Sequence, residues 1–163
     1  MTKIFLDTTY LLPLTGIETS LDQFNEQFEK TMEDQSITYL YSPVSIIELK
    51  WIIKKISKFN NNRQKLEERL EGVLRMLNTS PKFEKISFVN DIINHLTYKM
   101  ELLGHSDYFD TLIASSAIIS SDLFITEDKK LSKVIPKTIT ELKPYFNYKI
   151  DISTWSNFFS MNS

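Results

Sequence analysis

Lys3-Ile4-Phe5-Leu6-Asp7-Thr8-Thr9 holds a brief apolar run whose last hydrophobic residue is followed at once by a carboxylate. An apolar run of this length reads as a buried strand, and an acid directly past it emerges at the carboxyl edge of a sheet. Open α/β sheets place their ligands at that edge. Three later stretches set an acid against an apolar segment in the same way: Ser45-Ile46-Ile47-Glu48-Leu49, Asp110-Thr111-Leu112-Ile113-Ala114 and Leu123-Phe124-Ile125-Thr126-Glu127-Asp128. The expectation that organises everything else is that Asp7, Glu48, Asp110 and Asp128 converge.

Outward from the first strand, Thr8 to Thr15 predicts a short helix limited by Pro13 and Gly16, and Ser20 is placed to cap the next helix. Leu21, Phe24, Phe28, Thr31 and Met32 fall on one face of that helix, with Asp22, Glu26, Glu29 and Lys30 on the other. Ile37 to Tyr41 suits a second strand, and Ser42-Pro43 is a helix start: a cap residue, then proline at the first position. The helix that follows carries Glu48 in its second turn and runs to about Phe59, where Asn60-Asn61-Asn62 breaks it. Leu66, Leu70, Val73, Leu74 and Leu77 then recur at helical spacing, so the two helices form an αα-hairpin protruding from or standing beside the sheet.

Beyond Pro81, Phe83 to Phe88 reads as a short strand, and Asn90 or Asp91 opens a helix that Gly104 stops. Ser106 or Asp107 caps a further helix whose first turn presents Asp110 and whose small residues, Ala114 to Ala117, allow close packing on a sheet. Leu123 to Thr126 is a central strand. The remainder, with Pro136, Pro144, a strand near Tyr148 to Ile152 and the Trp155, Phe158 and Phe159 cluster, is expected to close the far sheet edge. Strands alternating with helices require crossover connections, which predicts a three-layer α/β/α fold with a mostly parallel central sheet, formed as one domain over residues 1–163.

Composition bounds the chemistry. The 163 residues, 42% hydrophobic and 25% charged, are ordinary for a water-soluble domain with a substantial core. A formal net charge of −2 gives no global basic field, so nucleic-acid contact would have to come from a local patch. With no cysteine there is neither a disulfide framework nor a thiolate nucleophile, and two histidines cannot build a Cys/His zinc site. His95 and His105 read as a surface and a loop histidine. No apolar run approaches membrane-spanning length and Asp7 interrupts the only candidate leader, so a reducing, cytoplasmic setting is expected.

Two ionised carboxylates about 4 Å apart repel by roughly 4 kcal/mol at an effective dielectric near 20, against a domain stability of about 5–15 kcal/mol. Four acids in one place therefore call for a cation. An all-oxygen set suits Mg²⁺ or Mn²⁺, and such ions activate water and neutralise charge in phosphodiester hydrolysis without a covalent nucleophile. The hydroxyls of Thr8 and Thr126 stand beside two of the acids, where they would orient a carboxylate or a water. Lys50, Lys54 and Lys58 form one helical stripe in the only basic concentration of the chain, a candidate hold for an RNA backbone.

Each residue also has an ordinary structural role open to it. The chain has 21 acids, most of which are expected on the surface or at helix caps. Asp107 is a cap, Asp110 would serve as the N3 partner of a capping box, Asp128 would cap a helix starting near Lys129-Lys130-Leu131, and Glu48 would pair with Lys54 or Lys55. Glu127 and Asp122 compete with Asp128 for the fourth place. The lysine stripe equally fits a solvated helix face, and Trp51, Trp155, Phe158 and Phe159 fit a core or an interface.

Taken in order, the four segments resemble the PIN-domain ribonucleases, especially the small VapC-like prokaryotic ones. Ile4-Phe5-Leu6-Asp7-Thr8-Thr9 is similar to the family's opening strand and first acid, and Pro43-Val44-Ser45-Ile46-Ile47-Glu48-Leu49 to its Glu-bearing helix. Asp110-Thr111-Leu112-Ile113-Ala114-Ser115-Ser116-Ala117 is similar to an Asp-x-x-Ile-Ala-x-x-Ala segment, and Phe124-Ile125-Thr126-Glu127-Asp128 to a Thr-x-Asp strand end. The resemblance implies a metal-dependent endoribonuclease with Asp7, Glu48, Asp110 and Asp128 at the metal, a homodimer, and for toxin members a small antitoxin partner. Where the family commonly has Asn or Ser after the Thr, this chain has Glu127, which adds negative charge. A haloacid-dehalogenase-like phosphotransferase would need an acid at Thr9, and the remaining alternative is a non-catalytic PIN-fold module that binds RNA or protein.

Overall fold

Along β1 (Thr2–Leu6) successive side chains enter two different cores, Ile4 and Leu6 on one face and Phe5 on the other, all fully buried. Period-two alternation with both faces apolar requires helices on both sides. The computed structural model, which describes residues 1–21, 23–58 and 63–162, has that arrangement. Two 3₁₀ turns, Thr8–Tyr10 and Pro13–Thr15, follow β1, and then α1 (Phe24–Glu33), β2 (Ile37–Tyr41), α2 (Pro43–Ser57), α3 (Arg63–Thr79) and β3 (Phe83–Lys85). The second half runs α4 (Asp91–Leu102), α5 (Tyr108–Ser120), β4 (Leu123–Ile125), α6 (Leu131–Leu142), β5 (Asp151–Ser153) and α7 (Trp155–Asn162). The strands order as β3-β2-β1-β4-β5, every neighbouring pair parallel. This is the expected α/β/α architecture, with β1 at its centre.

Ile4, Leu6, Tyr39, Tyr41 and Ile125 face a core built with α1, α2, α3 and α7, in which Phe24, Phe28, Leu49, Ile53, Leu66, Val73, Leu77 and Trp155 are buried. Phe5, Leu40 and Phe124 face the other core, made with α4, α5 and α6. Helix α5 lies close because its inner face is small. Ala114, Ser115, Ser116 and Ala117 are fully buried, and the Ser115 hydroxyl is 3.0 Å from that of Thr97 on α4.

Local signals explain most boundaries. Ser42 Oγ accepts from the Val44 N–H with Pro43 at the first helical position, as the Ser-Pro pair predicts. Asn90 caps α4 through the Ile92 N–H. Gly104 ends it at φ +99°, its N–H donating to Glu101 C=O at 2.9 Å while the His105 N–H donates to Met100 C=O at 3.1 Å. That pair of bonds is a Schellman motif, which a left-handed glycine makes easy.

Several expectations fail locally. Ser20 does not cap α1, which begins at Phe24 after a left-handed Gln23, because a turn closed by Phe24 N–H to Leu21 C=O delays the helix. The predicted helix over Thr8 to Thr15 is two separate 3₁₀ turns, and β3 stops at Lys85 rather than Phe88. Helix α6 forms with Pro136 inside it: Leu131, Val134, Ile135, Thr138 and Leu142 make a buried stripe that outweighs the roughly 3 kcal/mol proline penalty. The expected break at Asn60-Asn61-Asn62 and the polar role of Asp22 lie outside the described residues.

The C-terminal segment is tied in tightly. The Trp155 ring, 1% exposed, packs edge-on to Phe24 at 4.6 Å and near Phe28 at 5.8 Å, and its Nε1 donates to Gln27 Oε1 at 2.8 Å. Replacing Trp155 with Ala should lower stability by about 3–5 kcal/mol, measured as a lower urea midpoint. A loss under about 1 kcal/mol would mean that α7 rests on the sheet without holding it.

Candidate active site

Register brings the first two site residues together. Leu6 pairs with Ile125, so the next residues on the two strands, Asp7 and Thr126, leave the sheet side by side, and the Thr126 hydroxyl donates to Asp7 Oδ2 at 2.6 Å. Asp7 Oδ1 accepts from the Thr8 N–H at 2.7 Å, capping the first 3₁₀ turn. Both carboxylate oxygens are thereby fixed by a rigid element. Thr126 also accepts from the Asp128 N–H at 3.1 Å, which ties the fourth acid to the first through one hydroxyl.

Asp128 fills two of the roles open to it at once. Its Oδ1 takes the N–H groups of Lys130 and Leu131 at the start of α6, while Oδ2 faces His105 Nε2 at 3.4 Å. Asp110, at the third position of α5, turns its Oδ2 toward the same His105 nitrogen at 3.9 Å, while Asp107 alone caps the helix through the Phe109 and Asp110 N–H groups. Glu48 projects from the second turn of α2 with Oε2 buried and lacking a hydrogen-bond partner. The buried Thr8 hydroxyl stands near enough to ease Glu48's charge, yet the contact falls short of a hydrogen bond and leaves Thr8 Oγ1 unpartnered too.

Burial and neighbouring charges set how each acid holds its proton. Burial raises Asp7 to about 6, opposed by the Thr126 and Thr8 donors and reinforced by Glu48 and Asp128. Asp110 is raised to about 7 by desolvation and by repulsion from Asp7, Asp107, Glu48 and Asp128. Glu48 is raised chiefly by desolvation, with Asp107 adding to it. Asp128 is held below the usual carboxylate range: desolvation pushes it up, but the Leu131 and Lys130 N–H groups and His105 prevail. Four acids from four separate segments thus share one field at the carboxyl edge of the sheet.

Competing acids point elsewhere. Asp122 accepts from the Lys3 N–H at 2.9 Å, at the opposite end of β4. Glu127 accepts from the Tyr10 hydroxyl at 2.7 Å, and that hydroxyl in turn accepts from the Trp155 N–H, so the extra charge is pinned toward α7. Lys50 and Lys54 follow one another at i and i+4 along α2, with Lys58 at its C-cap, yet they border different depressions. Lys50 lines a depression with Tyr41, Leu74 and Lys85, whereas Lys54, Lys55 and Lys58 surround Trp51 in another of about 430 Å³. On a helix Lys50 lies about 200° around from Glu48 while Lys55 nearly eclipses it, so the basic face beside the acids is centred on Trp51 and Lys55. Trp51 is 72% exposed, neither core nor covered.

Sequence reasoning missed His105. It is a loop residue, as expected, but 3% exposed and wedged against two of the acids. The available signal was spacing: Gly104 forces a left-handed stop and Asp107 caps the next helix, so His105 is gripped between two fixed ends. His95, by contrast, is on the surface, its ring edge toward Phe146. The donor set fits a divalent cation. Among the described residues His105, Asp110 and Asp128 present ligand atoms within 4.8 Å of one another, and the orphaned Glu48 Oε2 and Thr8 Oγ1 lie beside them.

An open parallel sheet that gathers carboxylates at one carboxyl edge defines a class of acidic-site α/β domains. The chain matches the PIN domain family over residues 4–135, and it belongs to that family. Nothing among the curated proteins matches it. Solved structures with the same fold include VapBC2 from Rickettsia felis bound to a promoter DNA fragment, 19% identical, covering 94% of this chain and 98% of that one, with a TM-score of 0.60. DNA-bound VapBC from Salmonella typhimurium is 16% identical over 95% and 99%, TM-score 0.62. VapC20 of Mycobacterium tuberculosis, described as a sarcin-ricin-loop-cleaving toxin, is 11% identical over 80% and 93%, TM-score 0.56. Among the described residues no helix is long and apolar enough to cross a membrane.

Because Asp7 and Asp110 are raised, the cation-free fold holds protons that the unfolded chain, whose carboxyls titrate near 4, has already released. Their contribution is greatest below about pH 4 and is lost as pH rises through about 6 for Asp7 and 7 for Asp110, a loss of roughly 3 kcal/mol for Asp7 alone. Chelator-treated protein should therefore melt at a lower temperature at pH 8 than at pH 5.5, and Asp110→Asn should flatten the difference. An equally steep slope in the variant would show that Asp110 is not repelled by its neighbours.

Proposed function

We propose that this PIN domain is an Mg²⁺- or Mn²⁺-dependent endoribonuclease that hydrolyses RNA phosphodiester bonds at the edge formed by Asp7, Glu48, Asp110 and Asp128. The observation that carries the reading is the gathering of acids at one sheet edge: the Thr126 hydroxyl joins Asp7 Oδ2 to the Asp128 N–H, and Asp128 and Asp110 both face His105 Nε2, at 3.4 and 3.9 Å. A surface that only bound RNA would have no use for such an arrangement, and the complete acid set favours catalysis over a non-catalytic module. When bound, a divalent cation supplies charge neutralisation at phosphate oxygens and a lowered pKa for water.

The chain's own groups have separable tasks. Asp7 and Asp128, each locked by two donors, provide preformed anionic anchors whose geometry costs nothing to organise when substrate arrives. Glu48, raised and with a free Oε2, is placed to accept a proton from the attacking water. Thr8 and Thr126 orient the first acid. Lys50, Lys54 and Lys58 hold the RNA backbone, with Lys55 beside them and exposed Trp51 offering a face on which a base can stack.

The fold's solved relatives include VapBC and FitAB assemblies on DNA and a toxin described as cleaving the sarcin-ricin loop. They support a reading in which this chain is the toxin of a toxin-antitoxin pair acting in the cytoplasm, bound by a small antitoxin. Exposed Ile47, Val89, Tyr108 and Phe109 line an apolar depression of about 370 Å³ beside α2 and α5, a surface for a second copy in a homodimer.

Incubated with mixed RNA and Mn²⁺ or Mg²⁺, the protein should produce cleavage that EDTA abolishes and that Asp7→Asn lowers at least about a hundredfold. Cleavage that persists in chelator would remove the metal-dependent reading. Replacing Lys54, Lys58 and Trp51 together with Ala should weaken RNA binding and flatten its dependence on salt while leaving Mn²⁺ affinity unchanged. An unaltered salt slope would return this face to ordinary solvated surface.

A further inference from the structure

We infer that His105 supplies a nitrogen ligand to the cation held by Asp110 and Asp128, and that this ligand makes the site select Mn²⁺ or a later transition ion over Mg²⁺. The inference rests on the metal-dependent reading above and goes further, because four carboxylates alone offer only oxygen, to which both ions are suited.

Three observations support it. His105 is 3% exposed, and its Nε2 lies 3.4 Å from Asp128 Oδ2 and 3.9 Å from Asp110 Oδ2. Donors sharing one cation at about 2.1 Å are about 3 Å apart in adjacent positions and about 4.2 Å apart in opposite ones, and these separations lie close to that range, with all three ligand atoms within 4.8 Å of one another. Second, the ring is not free to leave. The Schellman bonds at Met100 and Glu101 fix its backbone on one side, and the Asp107 cap begins α5 two residues later. Third, Glu48, near enough to repel Asp110, has an Oε2 with no partner among the described residues, and Thr8 Oγ1, in a residue 2% exposed, faces it equally unpartnered.

The remaining ring atom bears on the chemistry. His105 Nδ1 is buried and has no hydrogen-bond partner. The ring therefore meets the cluster through Nε2, which lies 3.4 Å from Asp128 Oδ2 and 3.9 Å from Asp110 Oδ2. Imidazole nitrogen favours transition ions over Mg²⁺, following the usual order of affinities.

The test uses Mn²⁺ and Mg²⁺ as probes on the full chain. Pulsed electron paramagnetic resonance of the Mn²⁺-loaded protein should show nitrogen-14 coupling from a coordinated imidazole, unchanged in His95→Gln and absent in His105→Gln. Calorimetry should show that His105→Gln weakens Mn²⁺ at least about tenfold and Mg²⁺ far less. The spectrum of the unmodified protein tests the ligand even if the variant folds poorly. Bound Mn²⁺ that is lost in Asp110→Asn but shows no nitrogen coupling overturns the inference and leaves the nuclease reading intact. Equal losses of both ions in His105→Gln overturn the selectivity, and no Mn²⁺ binding at all would remove both readings together.

Discussion

The constraint on which the structure depends is the parallel register of three central strands. With Ile4 paired to Tyr39 on one side and Leu123 on the other, β1, β2 and β4 all end at the same level. Whatever follows each strand must then share a small volume with the others. Asp7 follows β1, Asp128 follows β4 after Thr126 and Glu127, and α2 starts right after β2 and delivers Glu48 two turns in. Asp110 arrives by a different route, through the close packing of α5 that its small residues permit. Repulsion at this edge is therefore a product of the topology, and the hydrophobic burial of two cores offsets it.

The fold was legible because its signals were local and mutually consistent. Apolar runs bounded by acids gave the strands, Ser42-Pro43 and Asn90 gave helix starts, and Gly104 gave a stop. The acids were legible because each stood at an element end, where the backbone alone decides direction. Helix α6 was hidden by Pro136, whose local penalty is visible in the sequence while the stripe that overrides it is tertiary. Helix α7 was hidden because eight residues carry too little periodicity to register. His105 escaped for a related reason: one loop residue has no pattern, and only two helix ends in space make it part of a site.

Electrostatics and packing divide the labour at the site. Asp7 and Asp128 are held by hydrogen bonds to neighbouring backbone and hydroxyl donors, so their geometry belongs to the fold. Asp110 and Glu48 have weaker ties, and their protonation answers to whatever positive charge is nearby. Half the acid set is scaffold and half is responsive.

The Tyr10 hydroxyl joins Glu127 at the acid edge to the Trp155 backbone at the start of α7. The family match ends at residue 135, yet β5 and α7 lie beyond it, β5 covering the flank of β4 and Trp155 filling the core under β1. The last thirty or so residues thus act as a keystone for the segment that carries Thr126 and Asp128. A cut there would leave β4 as a bare margin and take from the Tyr10 hydroxyl its Trp155 donor, so damage far along the chain would be felt where the acids sit.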